Sequence, residues 1–393
     1  MTGTYQAIVL GLGAMGAATV YQLARRGITV LGIDRFSPPH HLGSSHGDTR
    51  ITRKAIGEGG EYTPISLRSY EIFADLERQS GRSLLTMTGG LVISSNATSN
   101  FNHVANFFNN TVGVAQRFGI RHEILEAAEM RRRFPPLKVA DDELGYYEHD
   151  AGFLRPELCI ATQLELAAES GADLHTGETV VSFSDVKGGV RVVTSASEYR
   201  AANLVVTAGP WLPELLSDEW RPFFKIYRQV LYWFAVEGAY ETLAPGNFPV
   251  FIWEVQGEAC PMYGFPAVDG PAGGMKIGRE EYSQTTSPEA VDRTVSQAEI
   301  AHMHDTQVAP FFHGVESRCL RSAVCLYTLA PEAAFVIDRL PGSPSVIIAS
   351  PCSGHGFKHS AAVGEALAEL VVAGASRLDL SAFSFDALRA RHG

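Results

Sequence analysis

Ala7 to Leu10 form a short apolar run that passes directly into Gly11-Leu12-Gly13-Ala14-Met15-Gly16, and Ala17 to Arg26 then carry a helical pattern closed by Gly27. A second apolar run, Thr29 to Ile33, ends in Asp34. Strand, Gly-rich turn, helix, strand and terminal acid in this order predict a dinucleotide-binding βαβ unit. In such a unit Gly11 makes the tight turn, Gly13 lets the backbone approach a pyrophosphate, Gly16 allows close helix–strand packing, and Asp34 accepts from a ribose hydroxyl. The acid disfavours a 2′-phosphate and leaves FAD and NAD open. A βαβ turn with no nucleotide on it is the alternative.

The chain has 393 residues, enough for about two domains of 100–200 residues. Hydrophobic residues make up 45% and charged ones 19%, with no polar low-complexity tract, so the chain is globular. Its net charge of −11, with no basic run, argues against a nucleic-acid partner. No stretch of about 18 apolar residues exists to span a bilayer. The N-terminus lacks a basic n-region and is not expected to be a signal peptide. Five scattered cysteines, Cys159, Cys260, Cys319, Cys325 and Cys352, suit a reducing, cytoplasmic location with at most one special thiol. Cys319 and Cys352 read as small core residues.

Two later stretches repeat the buried-strand pattern: Leu204 to Thr207, before Ala208-Gly209-Pro210-Trp211, and Val346 to Ala349. The second leads through Ser353-Gly354-His355-Gly356-Phe357-Lys358 into an amphipathic helix reaching about Val372. The segments between are longer, aromatic-rich and alternate as antiparallel strands do. Asp269 to Gly274 reads as a hairpin loop.

Three segments carry polar chemistry. Ser45-His46-Gly47-Asp48-Thr49-Arg50-Ile51-Thr52-Arg53 is either a solvated loop or a site. The Gly354–Lys358 stretch is similarly a turn or a site. Lys276 stands mid-strand among apolar neighbours, as an edge-strand gatekeeper or as a buried amine held for use. No His/Cys/carboxylate set has metal-ligand spacing, and no metal is expected.

These motifs together resemble the monomeric sarcosine oxidase and N-methyltryptophan oxidase family of FAD-dependent amine oxidases. The resemblance runs nearly end to end, through GLGAMG, Pro38-Pro39-His40, HGDTR, Gly57-Glu58-Gly59, Gly152-Phe153-Leu154-Arg155, Tyr263-Gly264-Phe265-Pro266, Lys276, Cys325-Leu326-Tyr327-Thr328, Phe335-Val336-Ile337-Asp338 and SGHGFK. It implies an α/β architecture, with a Rossmann-type FAD-binding domain on a parallel sheet and a substrate domain on a mainly antiparallel sheet. The expected boundaries are 1–85, 151–220 and 321–393 for the discontinuous FAD domain, and 86–150 and 221–320 for the substrate domain. The stretch of about 221–265 is expected to wall the substrate pocket.

The resemblance further implies FAD held covalently, by a thioether from Cys325, and cradled by Gly11, Gly13, Gly16, Asp34, Gly354, Gly356 and Lys358. Arg53 and Lys358 match the cations that hold a substrate carboxylate, and Lys276 matches the lysine that activates oxygen. His46 and Arg50 match residues against the flavin ring, and Tyr327 and Tyr263 match active-site tyrosines. The implied reaction is oxidation of a small secondary amino acid by O2, giving H2O2, formaldehyde and the free amino acid, in a monomer.

Three departures stand out. Glu280 replaces the His found four residues after the oxygen-activating lysine in members acting on N-methyl amino acids; fructosyl amino acid oxidases are similar in having Glu there, which makes a deglycating oxidase the alternative. Glu280 could equally pair with Arg279 or face solvent. Ser45 replaces a second His before HGDTR, and His359 stands where relatives carry an aromatic or apolar residue.

Overall fold

In the computed structural model, which describes residues 4–95, 104–236, 238, 240–255 and 260–392, strand Thr4–Leu10 lies between Val30–Asp34 and Glu198–Val206, parallel to both. Asp173–Thr176 adds in parallel beyond Val30–Asp34, and Ser343–Ala349 pairs in parallel with the second half of Glu198–Val206. Val180–Val186, Gly189–Thr194 and Ile337–Leu340 complete an eight-stranded sheet through antiparallel pairs. Both faces are covered. Ala7, Val9, Val205 and Ile347 pack against helices Ala14–Ala24, Pro156–Glu169 and Ser360–Ala373. Ile8, Leu10, Leu204, Val206 and Val346 pack on the other side with Trp220, Phe224 and Phe385. Two-sided burial is why these strands read as unbroken apolar runs.

A second, nine-stranded sheet carries Gly90–Ser95, His122–Glu126, Glu143–Glu148, Lys225–Val236, Val250–Glu254, Met262–Gly264, Met275–Arg279, Thr285–Thr286 and Val315–Leu329. Its pairs are antiparallel except Gly90–Ser95 with Val250–Glu254. Asp269 to Gly274 lies in the antiparallel connection between Met262–Gly264 and Met275–Arg279. Of the expected pocket wall, residues 237, 239 and 256–259 lie outside the described residues.

One boundary differs from expectation. The sequence placed 321–393 in the nucleotide unit, but residues 321–329 end a fifteen-residue strand, Val315–Leu329, paired with Lys225–Val236 in the second sheet. The mixed polar and apolar first half of that strand hides its start. A third sheet of three-residue strands, Arg50–Thr52, Gly152–Leu154 and Leu85–Met87, was not anticipated, because strands so short carry no readable period.

Alternation in the second sheet decides where the chemistry faces. Lys276 is paired opposite Trp233 and Gly278 opposite Leu231, while Tyr263 is opposite Gly278 on the other side. Cys325 is opposite Gln229 and Tyr327 opposite Tyr227. Side chains two apart share a face, so Tyr263, Lys276, Cys325 and Tyr327 all project to one side. Ile277, Tyr232, Phe234 and Met275 project to the other and form that sheet's own core. Lys276 is therefore no edge gatekeeper: its strand is bonded on both sides.

Candidate active site

A single cavity runs from the Gly11–Met15 turn, past Ser44, Ser45 and Arg50, to Lys276, Glu280 and Lys358. At its first end Gly11 has φ +87°, and a Cβ there would stand 2.6 Å from Thr207 O. A Cβ on Gly16 would stand 1.7 Å from Gly11 O, so this glycine closes the turn on itself. Gly13 has open space, with Ser45 Oγ nearest at 3.5 Å, and begins a helix with no side-chain cap. Ala14 N donates to Ser45 Oγ at 3.3 Å, and the other N–H groups at the helix start suit a phosphate. Asp34 accepts from Leu12 N and Phe36 N, both at 2.7 Å, which orients its carboxylate toward the cavity and leaves lone pairs for a ribose. These residues fit a dinucleotide.

In the middle of the cavity the chain from Gly43 to Arg50 wraps around Lys276. Its Nζ donates to Gly47 O at 2.6 Å, Thr49 O at 2.8 Å and Thr49 Oγ1 at 3.1 Å, and lies over Phe265 and Trp233. Burial pushes the amine well below its usual range, and Arg50 adds to the effect. Glu157 holds the loop from the far side by accepting from Gly47 N (2.6 Å) and Asp48 N (3.2 Å). Arg50 donates to Thr49 O, Ser44 O and, at 3.5 Å, Cys325 Sγ. Burial pushes the Cys325 thiol up, and the Arg50 guanidinium pulls against it.

Cys325 and His46 do not line the cavity, in contrast to Arg50, Lys276 and Tyr327. Cys325 Sγ lies 3.5 Å from Ser44 O and 3.9 Å from Gly43 O, and both Gly43 and Ser44 line the cavity. His46 is buried, its Nε2 has no hydrogen-bond partner among the described residues, and burial with Arg50 and Lys276 nearby pushes the ring down to about 3. Cys352, read from sequence as core, is half-buried and does line the cavity.

The far end gathers four charged side chains. Arg53, 4% exposed, donates to Glu58 Oε2 at 2.5 Å and to Ala55 O. Burial opposes ionisation of Glu58, but Arg53, then His355 and Lys358, outweigh it and hold the carboxyl well below its usual range. Lys358, 5% exposed, donates to His355 O at 2.7 Å; burial pushes it down to about 7 against the pull of Glu58. Glu280 Oε2 accepts from Tyr282 OH at 2.9 Å, and burial pushes the carboxyl up to about 7. Tyr263 OH and Tyr327 OH meet at 3.5 Å. Gly354, beside Glu280 and Tyr327, and Gly356, where a Cβ would stand 1.6 Å from Pro351 O, shape the loop that delivers Lys358.

The structure thus brings Arg50, Arg53, Tyr263, Lys276, Glu280, Tyr327, Gly354, Gly356 and Lys358 to one cavity shared with Gly11, Gly13 and Asp34. Sequence reasoning gave no role to Glu58, Glu157 or Tyr282. Glu58 had a signal: a buried Arg53 requires an acid, and Glu58 is close in sequence. His359 is fully buried among Tyr62, Phe335 and His355, and nothing in the structure explains its presence there. Among the described residues no group of three His, Cys, Asp or Glu could hold a metal ion, and no helix is long and apolar enough to cross a membrane.

The family model described as FAD dependent oxidoreductase matches residues 6–370. The chain is 40% identical to a monomeric sarcosine oxidase of Streptomyces avermitilis over 386 residues, covering 98% of this chain and 97% of that one. It is 33% identical to N-methyl-L-tryptophan oxidase of Escherichia coli over 382 residues, covering 96% and 98%. In structure it is similar to NikD, an unusual amino acid oxidase of nikkomycin biosynthesis, with a TM-score of 0.82, 22% identity and 98% of each chain covered. A Gly-rich turn built for a dinucleotide and an end-to-end match to these oxidases lead to one conclusion: the chain belongs to the family of FAD-dependent oxidoreductases.

Proposed function

We propose that the protein is an FAD-dependent oxidase of secondary amines that acts on N-methyl amino acids of the sarcosine type. The observation that carries this reading is the meeting, in the cavity of the dinucleotide turn, of a carboxylate-binding end (Arg53, Lys358) with a buried lysine held by carbonyls (Lys276). The balanced reaction is R–NH–CH3 + O2 + H2O → R–NH2 + CH2O + H2O2. FAD, when bound, supplies a two-electron acceptor that oxygen regenerates.

The chain's own groups do the rest. Lys358, with Arg53 behind it, holds the substrate carboxylate and so fixes the amine and its C–H bonds in position. Tyr263 and Tyr327 wall the space beside it. Lys276 and Arg50 place positive charge where electron transfer to oxygen creates a negative one.

Cys325 carries the flavin thioether in this reading. Arg50 at 3.5 Å favours the thiolate that such a bond requires. Cys325→Ser is expected to release essentially all the flavin into the supernatant of an acid precipitation, whereas the native protein keeps its flavin in the pellet. Retention in the Cys325→Ser pellet, lost on adding Cys352→Ser, would move the attachment to the other cavity thiol.

The testing experiment is anaerobic bleaching of the flavin absorbance by sarcosine, N-methyltryptophan and a fructosyl amino acid. Fast bleaching by an N-methyl amino acid supports the proposal. The carboxyl of Glu280 in the cavity favours a second reading, oxidation of fructosyl amino acids, and bleaching by that compound alone would establish it in place of the first.

A further inference from the structure

We infer that Glu280 accepts the ammonium proton of the bound substrate through Oε1, the oxygen not engaged by Tyr282, and so delivers the neutral amine to the reaction. This rests on the amine-oxidase reading, which requires a nitrogen lone pair and therefore a deprotonated amine; it holds for N-methyl and fructosyl substrates alike.

Three observations carry it. Alternation along Met275–Arg279 continues into Glu280, four residues after Lys276, which puts its carboxyl on the Lys276 face. Its Oε2 is fixed by Tyr282 OH at 2.9 Å, while Oε1 lies 3.2 Å from where a Cβ on Gly354 would stand. A glycine at that place keeps the space before Oε1 free of a side chain. Lastly, Glu280 and Lys358 line the same end of the cavity and act electrostatically on each other. A cation and an acid side by side are the complement of an amino-acid zwitterion, whose carboxylate and ammonium lie two bonds apart. Glu58 does not take the proton, because Arg53 beside it holds its carboxyl well below the usual carboxylate range.

The groups facing Glu280 are Tyr282 on its own segment, Glu58 and Lys358 from the two loops opposite, and Tyr263 and Tyr327 from the neighbouring strands. Burial raises the Glu280 carboxyl to about 7 and lowers Lys358 to about 7. The same burial acts on a substrate ammonium as on Lys358, so donor and acceptor are brought close in proton affinity. The step balances: R2NH2+ and the Glu280 carboxylate become R2NH and the Glu280 carboxylic acid, with no other bond made or broken.

The test is the pH dependence of the second-order rate constant for anaerobic flavin reduction by sarcosine. In the native protein the acid limb should fall near 7; in Glu280→Gln it should move up by about two to three pH units, toward the ordinary range of an aliphatic amine, with about a 10²-fold loss at neutral pH. Coincident profiles overturn the proposal alone. A native protein bleached by no secondary amine overturns the amine-oxidase reading and this proposal with it. A second readout needs no turnover: titration calorimetry of sarcosine into the dithionite-reduced protein near pH 8, in two buffers of different ionisation enthalpy. Essentially no proton should leave on binding to the native protein and about one on binding to Glu280→Gln; equal counts overturn the proposal. Should Glu280→Gln not fold, sarcosine is compared with N-(2,2,2-trifluoroethyl)glycine, a weaker base, on the native protein. An acid limb common to both supports Glu280, and a limb that follows the substrate overturns it.

Discussion

Lys276→Met is expected to slow the reaction of the reduced protein with oxygen by about 10²–10³-fold, the usual effect of removing one preorganised electrostatic group, while reduction by substrate changes little. The amine is 1% exposed and held by two carbonyls and a hydroxyl of the 47–49 turn, with Arg50 adjacent. Positive charge there costs no reorganisation when oxygen takes up an electron. The sign of the pH effect follows from burial, which lowers the amine well below its usual 10.5, with Arg50 adding to it. The cation is present below that lowered pKa and lost as pH rises through it, so the native oxygen reaction should decline with rising pH, and the variant's should be flat. Methionine removes one hydrogen bond from each of the Gly47 and Thr49 carbonyls, which keep Thr49 N and the Arg50 guanidinium as donors, so a thermal melt belongs beside the kinetics. Stopped-flow measurement of both half-reactions decides the matter: equal slowing of the two would remove Lys276 from the oxygen site.

Lys358→Met should weaken substrate binding by about 10²-fold, corresponding to the loss of about 3 kcal/mol from a hydrogen bond between charged groups. Arg53 takes over only in part, because two of its N–H donors are tied to Ala55 O and Glu58. Lys358 has three N–H donors and spends one on His355 O, leaving two for a carboxylate. Lys358→Arg should restore part of the binding. Burial, against the pull of Glu58, lowers the amine to about 7. Acetate, a carboxylate without an amine, should therefore bind tightest below pH 7 and progressively weaker above it, a dependence that Lys358→Met reduces to the part set by ionisation of Glu280. Perturbation of the flavin spectrum by acetate gives these constants directly, and a change of less than about three-fold at pH 6 would count against the assignment.

These effects differ in how far the amino-acid order alone foretells them. The opening strand, turn and helix were legible because each glycine of the turn answers a local need: φ +87° at Gly11, and a carbonyl 1.7 Å from a Cβ on Gly16. The two-sided burial of the first sheet was legible in runs such as Ala7–Leu10, since a strand covered on both faces has no polar side to show. The place of Lys276 was not. An apolar run with one lysine reads the same at an edge and at a centre, and only Lys225–Val236 and Met262–Gly264 on either side make it central. The start of the last nucleotide-unit segment, expected at 321, differs for a related reason: the strand holding Cys325 is claimed by Lys225–Val236, about a hundred residues earlier.

The sequence by itself therefore determined what local backbone geometry and side-chain period express: the dinucleotide turn, the α/β class, the antiparallel second unit and the residue types available for chemistry. Tertiary structure decided which of them meet. It paired Arg53 with Glu58 and left Lys358 with free donors, set Cys352 on the cavity wall with Cys325 one layer behind, and turned Glu280 toward the cavity beside a glycine. Charge, burial and lone-pair availability depend on neighbours brought together from distant parts of the chain, and a local pattern carries no record of them.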